Sequence, residues 1–256
     1  MTHRSTSAIV LRRRDYGDFD LILTVLTLDH GVCTLIAKAA KKSTKRFQGI
    51  LEHFAGLKIV YRQPRGKGLP VLEEATLEDN FGVIRSDIVK TAYASYWAEL
   101  VALWLETGEP RGDIYRLLAF VLAELAANTT PAALLNLLFQ MRFIGQEGLR
   151  PVLEHCACCQ TDVETLAQTQ FCIDLKQGGI VCHQCPSPDA RRLYLGKGTL
   201  KLLLWMVGGD LARALRVRFA ARSLAEATAF VEAFVPYHLG RTPKSLAFLR
   251  QIRPAA

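Results

Sequence analysis

No run of apolar residues in this 256-residue chain approaches the roughly 18 needed to cross a bilayer. The stretch at residues 202–207 is short, preceded by Lys201 and followed by two glycines. Residues 1–7 are polar and no long apolar stretch follows them, so no secretion signal is expected and a soluble, cytoplasmic protein is the default. Catalytic signatures are equally scarce. Gly66-Lys67-Gly68 and Gly196-Lys197-Gly198-Thr199 lack the upstream glycine of a phosphate-cradling P-loop, and neither HExxH nor a nucleophile elbow occurs. Asp15, Asp18 and Asp20 suggest a nuclease metal cluster at first sight. Beside Arg12, Arg13 and Arg14 they read instead as partners in local ion pairs. The chain is therefore read as a non-enzyme. Internal repeats and low-complexity segments are also absent.

Negative charge is in short supply at both ends. Residues 1–80 carry 13 Lys and Arg against 9 Asp and Glu, and residues 191–256 carry 12 against 3, whereas residues 81–190 carry 7 against 12. Separated cationic surfaces of this kind suit a polyanionic partner, although basic side chains also solvate exposed helix faces.

Seven cysteines are present, and four of them have the spacing of two metal knuckles: Cys156 with Cys159, and Cys182 with Cys185. Two C-x2-C hooks can close four thiolates into a tetrahedron around Zn2+ and staple a loop too small to bury a core of its own. Disulfides are the competing use of these thiols, but a chain of this length does not need them. Cys158 would break the spacing and is read as a bystander. Cys33 and Cys172 lie in apolar, strand-like surroundings and read as packing residues. His155 and His183 read as rim residues beside four well-spaced thiolates. With no open coordination position, the zinc is expected to be structural.

Residues 1–80 show short alternating runs at 8–11, 21–28, 32–37, 57–61 and 71–77, with Gly31 placed to turn the hairpin after Asp29-His30. Five strands without a long helix point to a five-stranded OB-fold barrel. From Asp87 the apolar period becomes 3.6, with stripes through Tyr93, Trp97, Leu100 and Trp104 and through Ile114, Leu118, Val121 and Leu125. Thr130-Pro131 and Thr242-Pro243 read as a cap followed by proline at the first helical position, and Ser223-Leu224-Ala225-Glu226 as a capping box. The expected class is α+β. An OB-fold nucleic-acid-binding domain (1–80) precedes an all-helical domain (81–256) that carries a four-cysteine, zinc-finger-like insert at about 152–190.

Between the third and fourth strands lies Lys38-Ala39-Ala40-Lys41-Lys42-Ser43-Thr44-Lys45-Arg46-Phe47. Five cations in nine residues, with Ser43 and Thr44 to hydrogen-bond phosphate and Phe47 to stack on a base, suit a sequence-independent single-strand binder. Lys38, Lys41, Lys42, Lys45 and Arg46, helped by Arg12 and Arg14, are the candidate DNA contacts. A solvated turn is the bland alternative. A zinc-ribbon RNA-binding or transcription-associated factor would share the cation and metal evidence.

The order of landmarks resembles the RecO family of bacterial recombination mediator proteins. The resemblance rests on Val10-Leu11-Arg12-Arg13-Arg14-Asp15-Tyr16-Gly17-Asp18-Phe19-Asp20, on Leu26-Thr27-Leu28-Asp29-His30-Gly31 and on the basic segment. It continues through Leu51-Glu52-His53-Phe54, Glu99-Leu100, Phe143-Ile144-Gly145 and the cysteine hooks around Gly178-Gly179-Ile180-Val181. It fades after about residue 210. The family often has glycine after the lysine that corresponds to Lys38, where this chain has Ala39, which implies a stiffer loop. Some relatives lack the cysteines, which places the metal outside the functional centre. The resemblance implies binding of single- and double-stranded DNA, annealing of complementary strands, and loading of RecA with RecR, and in some bacteria RecF, onto strands coated with single-strand-binding protein. It implies a protein of the bacterial cytoplasm, associated with the nucleoid. It also implies docking of the acidic, apolar-ended tail of single-strand-binding protein on the helical domain, where Arg142, Arg213, Arg216 and Arg218 are candidate rim residues.

Overall fold

A computed structural model of the protein describes residues 2–43, 45–64, 66–185 and 193–253. Its first five strands are β1 (Thr2–Tyr16), β2 (Asp20–Thr27), β3 (Gly31–Ala37), β4 (Gly56–Gln63) and β5 (Val71–Asp79). β1 extends through Arg12, Arg13 and Arg14 and changes register between Val10 and Arg12. Its first half pairs with β4, from Thr2↔Gln63 to Ile9↔Gly56, and its second half pairs with β2, from Ala8↔Thr27 to Tyr16↔Asp20. A bulge bends a strand enough to serve two partners around a small barrel. The order β1-β2-β3-β5-β4 closes on itself, with β3 and β5 joined only by the parallel pair Ile36↔Val71. This is the five-stranded OB barrel expected from the alternation.

The interior follows the period of two. Leu21, Leu23 and Val25, then Cys33, Leu35 and Ala37, then Leu57, Ile59 and Tyr61 all face one buried cluster. Phe47, Leu51 and Ala55, from the connection between β3 and β4, complete it. Gly31 turns the β2–β3 hairpin at φ 63°, and a Cβ there would lie 1.8 Å from the Glu109 carbonyl oxygen, so only glycine fits.

The helices are α1 (Gly82–Arg85), α2 (Ile88–Trp104), α3 (Gly112–Ala127), α4 (Ala132–Gln146), α5 (Lys197–Val207), α6 (Leu211–Ala214), α7 (Ala221–Leu239) and α8 (Lys244–Ile252). Among the described residues, none is long and apolar enough to cross a membrane. By contact the chain separates into two compact units. One comprises the described residues of 1–129 with 243–253, and the other those of 130–242. The line at 80/81 marks the change from strand to helix, whereas contact keeps α1, α2, α3 and α8 in the unit of the barrel.

In that first unit Asp87 caps α2, its carboxylate accepting from Val89 N at 2.9 Å and Lys90 N at 3.0 Å. α8 is capped from a distance. The Glu99 carboxylate on α2 accepts from Lys244 N at 3.2 Å and Ser245 N at 2.8 Å, and the Ser245 hydroxyl also donates to it. Pro243, and not Thr242, occupies the N-cap position, and no side chain of that residue caps the helix. The same correction applies to α4, where Pro131 sits at the N-cap instead of the first helical position.

In the second unit, β6 (Gln170–Asp174), β7 (Gly179–Val181) and β8 (Tyr194–Gly196) form a small sheet in the order β7-β6-β8. The capping box expected at Ser223–Glu226 does not form. α7 begins three residues earlier, with Ala220 at its N-cap, so Ser223 and Glu226 lie inside it. Glu226 instead accepts from Thr199 Oγ1 at 2.6 Å, Gly196 N at 3.0 Å and Arg222 Nε at 2.9 Å, which ties α7 to the start of α5. These groups keep its carboxyl below the ordinary carboxylate range despite partial burial.

Candidate nucleic-acid interface and metal site

The two cysteine hooks meet. The sulfurs of Cys156, Cys159, Cys182 and Cys185 all lie within 4.8 Å of one another, and Cys159 Sγ is 3.7 Å from Cys182 Sγ. A regular tetrahedron with metal–sulfur bonds of about 2.3 Å has edges of about 3.8 Å, so the donor set fits a zinc-sized ion. Each hook is a tight backbone turn: Gln160 N donates to Cys156 O, and Cys185 N donates to Cys182 O. Cys182 N also donates to Cys156 Sγ at 3.3 Å, the kind of N–H···S contact that steadies a thiolate. The hooks are brought together where Ala157 N donates to Ile180 O and where Val152 and Gly179 pair. A Cβ on Gly179 would lie 2.3 Å from Val152 O, so the approach requires glycine.

Thr161, through its hydroxyl and backbone N–H, holds the Cys159 thiol down at about 6, while contact with Cys182 pushes Cys185 well up. Four sulfurs this close cannot all ionise unless a cation lies among them. Cys158 and His183, whose ring meets Gln168, are exposed and outside the group, and half-buried His155, which bridges to Asp162, is outside it too. Cys33 is buried in the barrel and Cys172 half-buried on β6. Residues 186–190 of the expected insert lie outside the described residues.

The basic segment sits over one end of the barrel. Residues 40–42 form a single 3-10 turn, which Ala39 enters at φ 54°. That left-handed conformation is the reason a glycine suits this position better than any residue with a Cβ. The turn is fastened to the β1–β2 hairpin: Ala39 N donates to Asp20 Oδ1 at 2.7 Å, Lys41 N to Phe19 O at 3.0 Å, and Lys41 Nζ pairs with Asp15 at 3.0 Å. Asp15 and Asp20 thus serve locally. Lys42 Nζ lies 3.3 Å from the centroid of the Phe19 ring, and Arg46 folds back over Phe47 and onto the Lys38 carbonyl. Lys38, Lys45, Arg12 and Arg14 are exposed and form no ion pair with a described residue.

Under the turn lies a cavity of about 290 Å3 lined by Arg13, Lys41, Lys42, Ser43 and Glu52, among others. Arg13 alternates to the side opposite Arg12 and Arg14 and so enters this cavity, where it pairs with Glu52 at 3.2 Å. Strand alternation was the available signal for it, and the choice of Arg12 and Arg14 alone passed it over. Burial, followed by the charge of Arg13, pushes the His53 imidazole down. Phe47 does not face the solvent for stacking: it is 3% exposed and belongs to the barrel core. Ser43 Oγ accepts from Arg46 N and Phe47 N, and Thr44 lies outside the described residues.

The four candidate rim arginines of the second unit do not act alike. Arg142 donates to the carbonyls of Met206, Gly208 and Gly209 at 2.6–2.9 Å and closes the C-terminus of α5. Arg213 lies over the Trp205 ring at 5.1 Å and, with Leu204, Trp205, Gly208 and Gly209, lines a cavity of about 270 Å3. Arg216 and Arg218 are exposed and do not line it.

Comparison with known proteins agrees with this architecture. Residues 1–81 match the family Recombination protein O N terminal, and residues 85–247 match Recombination protein O C terminal, so the likeness continues well past residue 210. The chain is 42% identical to the DNA repair protein RecO of Desulfatibacillum aliphaticivorans, across 97% of both chains. It is 41% identical to the DNA repair protein RecO of Desulfosudis oleivorans, across 97% of this chain and 98% of that one. With the same-named protein of Bacillus subtilis the identity is 30%, across 95% and 92%. With both halves matched, and with relatives of this similarity along nearly the whole length, the chain belongs to the RecO family.

Proposed function

We propose that this protein is a DNA-binding recombination mediator in DNA repair, which binds single- and double-stranded DNA and anneals complementary strands. The observation that carries it is the basic turn clamped to the β1–β2 hairpin of an OB barrel, with exposed cations beside it that form no ion pair with a described residue. Such cations neutralise phosphates whatever the base, and each contact releases counterions. Binding by the backbone leaves the base edges free to find a complement, which annealing requires. No catalytic group is needed for this role. With RecR, and RecF where it is used, the protein would load RecA onto strands coated with single-strand-binding protein.

Zn2+ is the ion we assign to the four cysteines, with a structural role: it would fix the two hooks around β6 and β7. For the tail of single-strand-binding protein, the cavity beside Trp205 supports a docking site of the required chemistry, with apolar walls and the Arg213 cation at its edge. Arg142 contributes by holding the carbonyls of Gly208 and Gly209, and is a positioning residue. The decisive experiment measures binding and annealing of complementary oligonucleotides by the full chain across a salt series, without nucleotide. Annealing that falls as salt rises is expected, and absence of both activities refutes the reading.

A further inference from the structure

Two large aromatic side chains are exposed in the short turn that joins β1 to β2: Tyr16 at 55% and Phe19 at 43%. Singly scattered apolar side chains need no explanation, but two rings within four residues beside a cationic cavity form a local feature. We propose that this hairpin tip is a stacking platform for unpaired nucleobases of single-stranded DNA, with Phe19 as its principal ring and Tyr16 as its second. It rests on the proposed DNA contact by the barrel and adds the group that would read strandedness.

Three observations carry it. First, the tip is held in place: Phe19 O accepts from Lys41 N, Asp20 from Ala39 N, and Gly17 O from Lys41 Nζ at 3.4 Å. Little further ordering is required when a base arrives, which favours affinity. Second, Lys42 Nζ covers one face of the Phe19 ring, so the exposed area lies mainly on the other face and the edge. Base–aromatic stacking is sequence-tolerant, because every base has a π-face.

Third, Lys42 belongs both to this ring contact and to the lining of the cavity that holds Arg13, Lys41 and Ser43. A phosphate in that cavity would meet Arg13 Nε, a buried donor without a partner, and the Ser43 hydroxyl, whose oxygen accepts two backbone N–H groups and whose proton stays available. One lysine thus touches both the ring and the cavity where a phosphate would sit. A duplex keeps its base faces stacked inside and cannot use the ring, so the cations serve both forms of DNA and Phe19 serves one. Stacking engages the face of a base and leaves its pairing edge open.

The test compares the full-length protein with Phe19→Ala, Tyr16→Ala and Phe19→Trp on a labelled oligo-dT and on a duplex of equal length. Phe19→Ala should weaken single-strand binding by about fivefold or more, the lower end of one stacked base. Its duplex affinity and its salt slope should not change, since no charge is removed. Tyr16→Ala should follow the same pattern with a smaller loss. Phe19→Trp should retain binding, and the fluorescence it adds over wild type should be quenched by oligo-dT and not by duplex. Equal losses on both forms of DNA, or none on single strands, overturn the inference. If the alanine variant does not fold, an unquenched Phe19→Trp overturns it alone. Failure of the DNA assignment itself is distinguishable, because wild type would then bind neither form in a salt-dependent way.

Discussion

Replacing Lys38, Lys45 and Arg14 together by glutamine should cost the protein three phosphate contacts and leave its fold intact. All three are exposed and form no ion pair with a described residue, so their removal uncovers no buried acid. On single strands each lost contact lowers the salt slope by about 0.7, or about 2 for the three. Between about 50 and 200 mM salt the wild type should therefore lose roughly 20-fold more affinity than the variant. Fluorescence anisotropy of a labelled oligo-dT over that range reads the slope directly, with circular dichroism to verify folding. The paired substitution Lys41→Gln with Asp15→Asn is the counterpart: it removes an ion pair already closed at 3.0 Å and leaves the net charge as it was. Its slope should fall by less than that of the triple variant. A folded triple variant with an unchanged slope would refute the assignment of phosphate contacts to this face.

Protein purified without added metal should contain about one zinc per chain by elemental analysis; Cys156→Ser should lose it and Cys158→Ser should keep it. Glu99→Ala should destabilise the first unit by about 1–2 kcal/mol in urea titration, because two N–H groups at the start of α8 lose their acceptor. Ala39→Gly should be neutral or stabilising by up to about 1 kcal/mol at its φ of 54°, the opposite of what the same change does in a helix. Arg142→Met should lower stability by about 1–3 kcal/mol and weaken capture of an acidic, apolar-ended peptide, whereas Arg216→Gln should leave both nearly unchanged.

The barrel was legible in sequence because its core obeys a period of two: Leu21, Leu23 and Val25 are buried for the same reason that Ile22 and Thr24 are less so. The metal group was legible because knuckle spacing is a local constraint on turn geometry. The caps were not. Thr242-Pro243 carried a local cap signal, yet the acceptor for α8 is Glu99, 145 residues earlier than Lys244, and no local pattern announces such a partner. Ser223 and Glu226 had capping-box spacing, but Glu226 satisfies groups around β8 and α5 and not its own helix start. At the basic turn an aromatic after a basic run could equally face the core or the solvent. Phe47 took the core, and Phe19, four residues after Asp15 in a polar turn, kept the solvent.

The docking of α8 on α2 also bears on the order in which this protein can be completed. A ribosome delivers the barrel and α2 first, but the acceptor on Glu99 stays without its helix until residues 244–252 have been made. At about 5–20 residues per second, that leaves about 7–30 s during which one face of α2 is uncovered in the nascent chain. A premature stop between residues 130 and 243 would therefore damage the unit of the barrel as well as the one being truncated.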